Sequence, residues 1–274
     1  MTKLDEALRE ARGTLEPGEP EILMAHVLGS TRSWLYAHGD SELPRDVVER
    51  FAALVADRRD GIPVAYLTGR RGFRDLDLAV TPATLIPRPE TELLVELALA
   101  RLPAGVARRI ADLGTGSGAI ALALARARPE ASVIATDESR AALDVARANA
   151  RRLGLGNIAF AAGHWWEAVA DTRFALVASN PPYIPEGDPH LVQGDLRHEP
   201  RDALVSGVDG LDAIREIAAG AVRHLEPGGW LLVEHGWAQG AAVRALFVDA
   251  GLGDVATARD LEGRERVTRG CLRR

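Results

Sequence analysis

The residues Asn180-Pro181-Pro182-Tyr183 carry the clearest chemical signal in the sequence. They follow the apolar run 174–179, which predicts a buried strand. Proline lacks an N–H and restrains the residue before it, so this strand end is rigid and rich in acceptors. The Asn180 side-chain oxygen and the Pro181 carbonyl could accept both hydrogens of a planar –NH2 group, and the Tyr183 ring could cover its face. This arrangement suits methylation of an amide or exocyclic amine nitrogen, although the tetrapeptide alone also fits a rigid strand-to-loop turn.

A glycine-rich turn lies upstream, between a predicted strand and a predicted helix, and comprises Gly114, Thr115, Gly116, Ser117 and Gly118. Glycine lets the backbone approach a ligand closely and adopt positive φ. The next predicted strand ends at Asp137, where a carboxylate can accept hydrogen bonds from two ribose hydroxyls. Asp137 also fits a helix-capping position before Ser139, and the two roles can coexist. The turn and the acid together predict a nucleoside-containing cofactor.

The same glycines leave other classes of protein open. Gly114, Gly116 and Ala119 fit the G-x-G-x-x-A pattern of nicotinamide and flavin enzymes, so hydride transfer or a non-catalytic binding module are alternatives. Asp112, two residues before the turn, and the Asn180 tetrapeptide favour S-adenosylmethionine instead. Reduction or oxidation of a nicotinamide would distinguish the hydride-transfer class by its absorbance change.

These motifs require a scaffold, and the pattern after residue 108 alternates strand and helix. Such alternation predicts a mostly parallel α/β sheet with helices on both faces. The short connection 260–265 predicts that the last two strands form an antiparallel hairpin. The predicted strands are 108–113, 131–136, 157–161, 174–179, 229–234, 254–259 and 266–271, and the predicted helices are 118–128, 139–153, 209–224 and 237–250.

The first 60 residues predict a small helical bundle, with Leu4, Ala7, Leu8 and Ala11 spaced to share one helix face. Residues 61–69 are interpreted as turn-rich, and the alternation over 73–80 predicts a hairpin. We therefore divide the chain into an N-terminal helical domain at 1–80 that docks the substrate, a proline-rich connection at 81–89, and a cofactor-binding domain at 90–274.

Composition limits the functional classes. A net charge of −6 over 274 residues argues against a dedicated duplex-DNA binder. The one cysteine, Cys271, excludes a disulfide framework and a cysteine zinc site. No apolar run reaches the length of a membrane span, and the first residues show no secretory signal core. These features predict a cytoplasmic protein that does not span a membrane. We further expect that it holds no metal, does not bind membranes or nucleic acid directly, and works as a monomer.

With these residues in hand, the chain resembles the release factor glutamine methyltransferases over nearly its whole length. The segments that carry the resemblance are 63–69 (PVAYLTG), 86–92 (IPRPETE), 112–118 (DLGTGSG), 180–183 with 188–190 (NPPY and DPH), and 234–236 (EHG). The glycine turn is shared by many methyltransferases, and the tetrapeptide is shared with amino-methylating DNA and RNA enzymes. The proline-rich segment joined to a helical N-terminal domain is what narrows the match from these enzymes in general to the release factor glutamine methyltransferases.

The resemblance implies a seven-stranded Rossmann-like S-adenosylmethionine-dependent methyltransferase sheet whose last strand is antiparallel. It implies methylation of the glutamine of the Gly-Gly-Gln motif in peptide chain release factors, which leaves S-adenosylhomocysteine. Asn180 to Tyr183 are then the substrate-binding and catalytic residues, and Asn180 also borders the cofactor. Gly114 to Gly118 approach the methionine part, Asp137 holds the ribose and Trp165 lies beside the adenine. An adenine-N6 amino-methyltransferase acting on DNA or RNA is the alternative.

Several nearby side chains fit more than one role. The resemblance implies an acid just before the tryptophan, since many relatives have one there that is placed to meet the adenine amino group. In this sequence that position is His164, which leaves more of the adenine recognition to Trp165 or Trp166. His190 and His198 follow the tetrapeptide without a third metal ligand at useful spacing, which favours a substrate-facing loop over a metal site. Glu234 and His235 either touch substrate or cap their strand, and Trp230 and Trp237 are predicted core residues.

Overall fold

The computed structural model describes residues 2–273, which form two compact units. The first unit contains residues 2–70 together with 192–198, and the second contains 71–191 and 199–273. The whole predicted hairpin at 73–80 therefore belongs to the second unit, whereas the sequence interpretation counted it with the N-terminal domain. A short segment of the loop after the Asn180 tetrapeptide belongs to the first unit.

The first unit is helical. Leu4, Ala7, Leu8 and Ala11 are buried on one face, as their spacing predicts, and Leu23, Met24, Leu35 and Phe51 complete the core. Residues 61–69 were predicted as turn-rich but contain a helix. Pro63 is compatible with this helix because it lies immediately before the first turn, where its missing N–H costs nothing. The helices are α1 (Leu4–Arg12), α2 (Glu19–Leu28), α3 (Arg32–Ala37), α4 (Arg45–Arg59) and α5 (Val64–Thr68).

Arg58 ties the loop segment of this unit to its helices. Its guanidinium pairs with Glu19 on α2 at 2.9 Å and with Asp195 at 2.7 Å. The Arg58 and Glu19 side chains are each 16% exposed, so the pair is partly shielded from water. Arg197 also donates a hydrogen bond from Nη2 to the Asp60 carbonyl at 2.6 Å.

A hairpin of β1 (Arg70–Phe73) and β2 (Leu76–Ala79) opens the second unit, except that Arg70 itself belongs to the first unit, and a seven-stranded sheet follows. All seven predicted strands are present. The sheet strands are β3 (Arg109–Leu113), β4 (Ser132–Asp137), β5 (Ile158–Ala162), β6 (Phe174–Ser179), β7 (Leu225–Glu234), β8 (Gly253–Arg259) and β9 (Glu265–Cys271).

The order across the sheet is β5-β4-β3-β6-β7-β9-β8. Strands β3 to β7 pair in parallel, and β9 lies antiparallel between β7 and β8. The chain runs outward from β3 to β5 and then returns to place β6 on the other side of β3. Ligands bind at such a reversal of strand order, beyond the carboxyl ends of the strands. The two motifs singled out in the sequence both lie there, because the glycine turn follows β3 and Asn180 follows β6.

Helices cover both faces of the sheet, and the apolar core is accordingly divided into two. On one face the buried side chains include Leu94, Leu122 and Leu176; on the other they include Val177, Ile214 and Phe247. The helices of this unit are α6 (Thr91–Leu99), α7 (Ala119–Ala127), α8 (Arg140–Leu153), α9 (Asp212–His224) and α10 (Gly240–Asp249).

The prediction that Trp237 is a core residue is wrong, since its side chain is 65% exposed. Helix α10 begins at Gly240 rather than at 237, and the intervening residues form a turn in which Gly236 N donates to Gln239 Oε1 at 2.8 Å. The turn holds Trp237 outside the helix face that packs on the sheet. Trp230 does pack against the core, and the Arg101 guanidinium lies 4.5 Å from its ring centroid.

Candidate active site

A buried carboxylate fixes the glycine turn to the strand before it. Asp112 Oδ2 accepts hydrogen bonds from Thr115 Oγ1 at 2.6 Å and from Ala121 N at 3.1 Å. Burial raises the Asp112 pKa to about 7, although these two hydrogen bonds favour the charged form. Asp112 therefore holds both ends of the turn, which is a structural reason for an acid at this position.

Asn149 supports the turn from behind. This fully buried side chain on α8 donates from Nδ2 to the carbonyls of Ser117 and Ala79, both at 2.9 Å. Its Oδ1 accepts from Ala79 N at 2.8 Å. The amide thus joins the hairpin to the glycine turn, a role that the sequence analysis did not assign because three separate segments meet there.

Asp137 faces the turn across the end of β4. Its carboxylate accepts hydrogen bonds from Gly116 N at 2.8 Å and from Ser139 N at 2.9 Å. Burial raises the Asp137 pKa, while these backbone N–H groups lower it. Ser139 itself is the N-cap of α8, since its hydroxyl accepts from Ala142 N at 3.2 Å. Gly116 has a φ of +54°, and apart from Gly116 and its two chain neighbours no described residue has an atom within 4 Å of the place where a Cβ would stand. The turn therefore opens onto free space beside an acid, as a cofactor site requires.

The two adjacent tryptophans have different surroundings. Trp165 lies against the glycine turn, where a Cβ on Gly114 would stand 3.1 Å from its ring. Trp166 turns the other way: its ring stacks on His224 at 4.6 Å, and its Nε1 donates to the Glu216 and Ile217 carbonyls on α9. Trp165 has a φ of +39°, a strained backbone for a bulky residue, and this reversal separates the two rings.

His164 contacts two acids. Its Nδ1 lies 3.2 Å from Glu138 Oε2 and its Nε2 lies 2.8 Å from Glu216 Oε2. Partial burial disfavours the imidazolium, but both carboxylates together raise the His164 pKa above its usual value. Both ring nitrogens of His164 are therefore engaged by carboxylates.

The Asn180 tetrapeptide closes the opposite wall. Ser179, just before it, donates from its hydroxyl to the Leu113 carbonyl at 2.7 Å and so joins the ends of β6 and β3. Asn180 Nδ2 donates to Thr91 Oγ1 at 3.1 Å, whereas Asn180 Oδ1 is buried without a hydrogen-bond partner among residues 2–273. A buried acceptor left open in this way predicts a donor on a ligand.

Both the side chain and the backbone of Tyr183 are held by hydrogen bonds. Its hydroxyl donates to Glu234 Oε1 at 3.3 Å, and its carbonyl accepts from Gln239 Nε2 at 3.0 Å. Burial and the neighbouring Glu234 carboxylate raise the Tyr183 pKa, so the phenol stays protonated. Burial likewise raises the Glu234 pKa, to about 7. Glu234 thus fixes the tetrapeptide, while His235 bonds to Thr268 Oγ1 at 2.8 Å within the sheet.

A cavity of about 540 Å³ unites these residues within the second unit. Pro181, Tyr183 and Gly118 adjoin lining residues in the chain but are not among the residues that line it. Of the predicted residues, those that line it are Gly114, Thr115, Gly116, Ser117, Asp137, Trp165, Asn180 and Pro182.

Two further segments line the cavity, and a buried ion pair joins them. Residues 83–87 come from the proline-rich connection, and 200–203 come from the loop after the tetrapeptide. Glu199 Oε2 accepts from Ile86 N at 2.9 Å, and Glu199 Oε1 pairs with the Arg88 guanidinium. No local sequence pattern marks Glu199, because its partners lie more than a hundred positions away.

No cluster of three His, Cys, Asp or Glu side chains that could hold a metal ion occurs within the described part of the chain, residues 2–273. His190 instead lies 2.7 Å from Asp188 Oδ1 through its own Nδ1. Across those residues, no helix is both long and apolar enough to cross a membrane.

Comparison with known proteins identifies the family. A release factor glutamine methyltransferase of Xylella fastidiosa (strain Temecula1) is 59% identical over 263 residues, which cover 96% of each chain. The chain belongs to the release factor glutamine methyltransferase family. The Escherichia coli (strain K12) member of this family is 50% identical over 268 residues, which cover 96% of each chain. A methyltransferase of this family uses S-adenosylmethionine, and the glycine turn, Asp137 and the open cavity fit that cofactor.

Domain and structure comparisons agree with this family assignment. Residues 2–69 match the PrmC N-terminal domain, and residues 90–207 match the methyltransferase small domain. A 16S rRNA methyltransferase from T. thermophilus, solved in complex with AdoMet and guanosine, superposes with a TM-score of 0.55. At 20% identity, covering 74% of this chain and 50% of the other, that likeness shows the methyltransferase fold alone. The family favours methyl transfer over the hydride-transfer alternative.

Proposed function

We propose that this release factor glutamine methyltransferase family member methylates the side-chain amide nitrogen of the glutamine in the Gly-Gly-Gln motif of release factors. One observation carries the proposal at the level of atoms: the buried Asn180 oxygen is left without a partner among residues 2–273, in the wall of the cavity that the glycine turn also lines. An amide –NH2 group is a donor that this acceptor can satisfy.

The residues would act mainly by positioning. An amide nitrogen is a weak nucleophile, since its lone pair is delocalised into the carbonyl group. Asn180 Oδ1 and the Pro181 carbonyl accept its two N–H groups, which fixes the nitrogen in line with the incoming methyl group. Tyr183, held by Glu234, supports the amide plane, and Pro182 completes the wall. The substrate-binding and catalytic roles of these four residues are parts of this proposal.

S-adenosylmethionine supplies the methyl group as a sulfonium. The S–C bond breaks as the C–N bond forms, the sulfide keeps the electron pair, and the nitrogen then loses one proton to water. We assign the methionine part of the cofactor to Gly114, Thr115, Gly116, Ser117 and Gly118, the ribose to Asp137, and the adenine to Trp165. No step in this scheme calls for a metal or a strong base.

We further propose that residues 1–80 contain the surface that docks the release factor, that 81–89 connect it, and that 90–274 carry out the chemistry. The working form is a cytoplasmic monomer that does not bind nucleic acid directly. The adenine-N6 alternative would use the same acceptors on a flipped base. The net charge of −6 and the names of the relatives favour the protein substrate.

The test is intact-mass analysis of a purified release factor incubated with this protein and S-adenosylmethionine, followed by fragmentation. We expect the mass of one methyl group on the glutamine of the Gly-Gly-Gln motif. A release factor variant with asparagine at that glutamine is the matched control and should stay unmodified. An unmodified release factor, with S-adenosylmethionine demonstrably bound to the enzyme, would overturn the proposal and direct the search to nucleic acids.

A further inference from the structure

The two polar atoms of the Asn180 side chain have different surroundings. Nδ2 donates to Thr91 Oγ1 at 3.1 Å, and Oδ1 has no partner among the described residues. An asparagine amide has nearly the same shape after a 180° flip, so hydrogen bonds decide which end faces a ligand. Thr91, at the start of α6, is therefore placed to decide the orientation of Asn180.

A carboxylate stands behind Thr91. Glu234, at the end of β7, is 1% exposed; burial raises its pKa to about 7, while hydrogen bonds from the hydroxyls of Thr91 and Tyr183 oppose that rise by favouring the charged form. A carboxylate only accepts hydrogen bonds, whereas a threonine hydroxyl donates one proton and can accept at the same time. When Glu234 is charged and accepts the Thr91 O–H, the Thr91 hydroxyl offers a lone pair to Asn180, and the amide presents Nδ2 to it, as observed at 3.1 Å.

We propose that Thr91 and Glu234 are positioning residues that hold the Asn180 amide with its oxygen toward the target glutamine. This inference rests on the proposed function, because it is the glutamine –NH2 group that needs an acceptor there. A flipped Asn180 would place its own N–H groups against those of the glutamine, a donor facing a donor. The same carboxylate receives the Tyr183 hydroxyl at 3.3 Å, so Glu234 fixes two residues of the tetrapeptide together.

The position of this network separates it from the glycine turn. Asp112 and Asn149 hold the turn, whereas Thr91 and Glu234 contact the tetrapeptide. Loss of the network should therefore lower kcat for methyl transfer and leave cofactor affinity nearly unchanged. A merely structural role for Thr91 would instead change stability and cofactor affinity together.

The central variant is Thr91→Val, which keeps the side-chain shape and removes the hydroxyl. We expect kcat to fall about 10- to 100-fold, with the dissociation constant of S-adenosylmethionine changed by less than about threefold. Thr91→Ser restores the hydroxyl and should recover most of kcat. Thr257, on β8, accepts a hydrogen bond from Arg244 Nη1 at 2.7 Å. The variant Thr257→Val removes this hydroxyl and so controls for a general loss of stability.

Glu234→Gln tests the other half of the network. A glutamine can present either an acceptor or a donor to Thr91, so the direction of the hydrogen bonds is no longer fixed. We expect an intermediate loss of kcat, about tenfold, again with cofactor affinity retained. Values of kcat equal to wild type in both Thr91→Val and Glu234→Gln would overturn the inference.

A second readout is independent of turnover. In protein labelled with ¹⁵N-asparagine, the Asn180 side-chain resonances are assigned by their loss in Asn180→Asp. We expect one amide proton to be shifted downfield by its hydrogen bond in wild type and Thr91→Ser, and to move upfield in Thr91→Val. An identical spectrum in Thr91→Val would refute the orienting bond. Failure of wild type to methylate release factors, with this shift still present, would instead count against the proposed function alone.

Discussion

The Glu199 carboxylate joins Arg88 to the loop that follows the Asn180 tetrapeptide. Its side chain is fully buried, whereas Arg88 is 30% exposed, and its second oxygen accepts from Ile86 N at 2.9 Å. The proline-rich connection and the loop are thereby fixed as two borders of one cavity. A buried carboxylate can hold a loop in place only when an ion pair and hydrogen bonds compensate its charge. The Arg88 guanidinium and the Ile86 N–H do so for Glu199.

Replacement of Glu199 by Ala should destabilise the protein and weaken cofactor binding. Removing one partner of a buried pair costs about 3–5 kcal/mol, and the exposure of Arg88 places the expected loss near 3 kcal/mol. Urea unfolding and calorimetric titration with S-adenosylmethionine measure the two effects. Glu262→Ala breaks a pair with Arg264 whose side chains are 66% and 57% exposed, and it should cost less than about 1 kcal/mol. Equal losses in both variants would contradict the role given to Glu199.

Gly116 offers a second prediction, since a side chain there would enter the cavity. Gly116 and Gly154 have φ values of +54° and +68°, and a Cβ at either position would meet no described atom within 4 Å beyond those of its local backbone. Alanine at each should cost a similar backbone strain of about 1–2 kcal/mol. Gly116→Ala alone should also weaken S-adenosylmethionine binding, because Gly154 caps α8 away from the cavity lining. Calorimetric titration checks this, and equal affinities would remove the turn from the cofactor site.

Asn180→Ala should separate turnover from binding. The variant removes the unpartnered oxygen, and we expect methylation of the release factor to fall at least about 100-fold. The dissociation constant of S-adenosylmethionine should change little, because the glycine turn and Asp137 remain. Full activity in this variant would refute the acceptor role of Asn180.

The adjacent tryptophans provide a matched pair of variants. Trp165→Leu should lower S-adenosylmethionine affinity about tenfold or more, because Trp165 lines the cavity. Trp166→Leu should mainly lower the free energy of unfolding, because it removes the stack on His224 and two hydrogen bonds to α9. Titration and thermal unfolding of both variants test this, and the reverse pattern would contradict the assignment of Trp165 to the adenine.

Asp112 makes stability depend on pH. Burial raises its pKa from 3.8 to about 7, so the folded protein keeps a proton that the unfolded chain releases. Its contribution to stability is full below pH 3.8 and is lost as pH rises toward about 7. Between those two pH values, the titration of Asp112 makes the free energy of unfolding fall by up to about 1.4 kcal/mol for each unit of increase in pH.

Asp112→Asn should lack this contribution. Urea unfolding of both proteins at pH 5, 6 and 7, without cofactor, measures it as the change in their difference. The stability of wild type relative to the variant should decline as pH increases. A difference that stays constant over this range would show that Asp112 is ionised in the folded state.

Much of the site follows from local sequence pattern. Apolar runs predict strands, and the alternation with helices makes those strands parallel, so the glycine turn, Asp137 and Asn180 must meet at one edge of the sheet. The polar residues that follow β3, β4 and β6 therefore became candidates without knowledge of the fold. The short connection before β9 likewise predicted an antiparallel pair.

The tertiary structure alone decided which side chains support these residues. Thr91 lies 89 positions from Asn180, and Glu199 lies 111 positions from Arg88, separations that leave no periodic signal. The sequence could not separate Trp165 from Trp166 either, because the positive φ that points them apart depends on packing against α9 and the glycine turn. Local patterns determine where strands end, but contacts between distant segments determine what each side chain meets there.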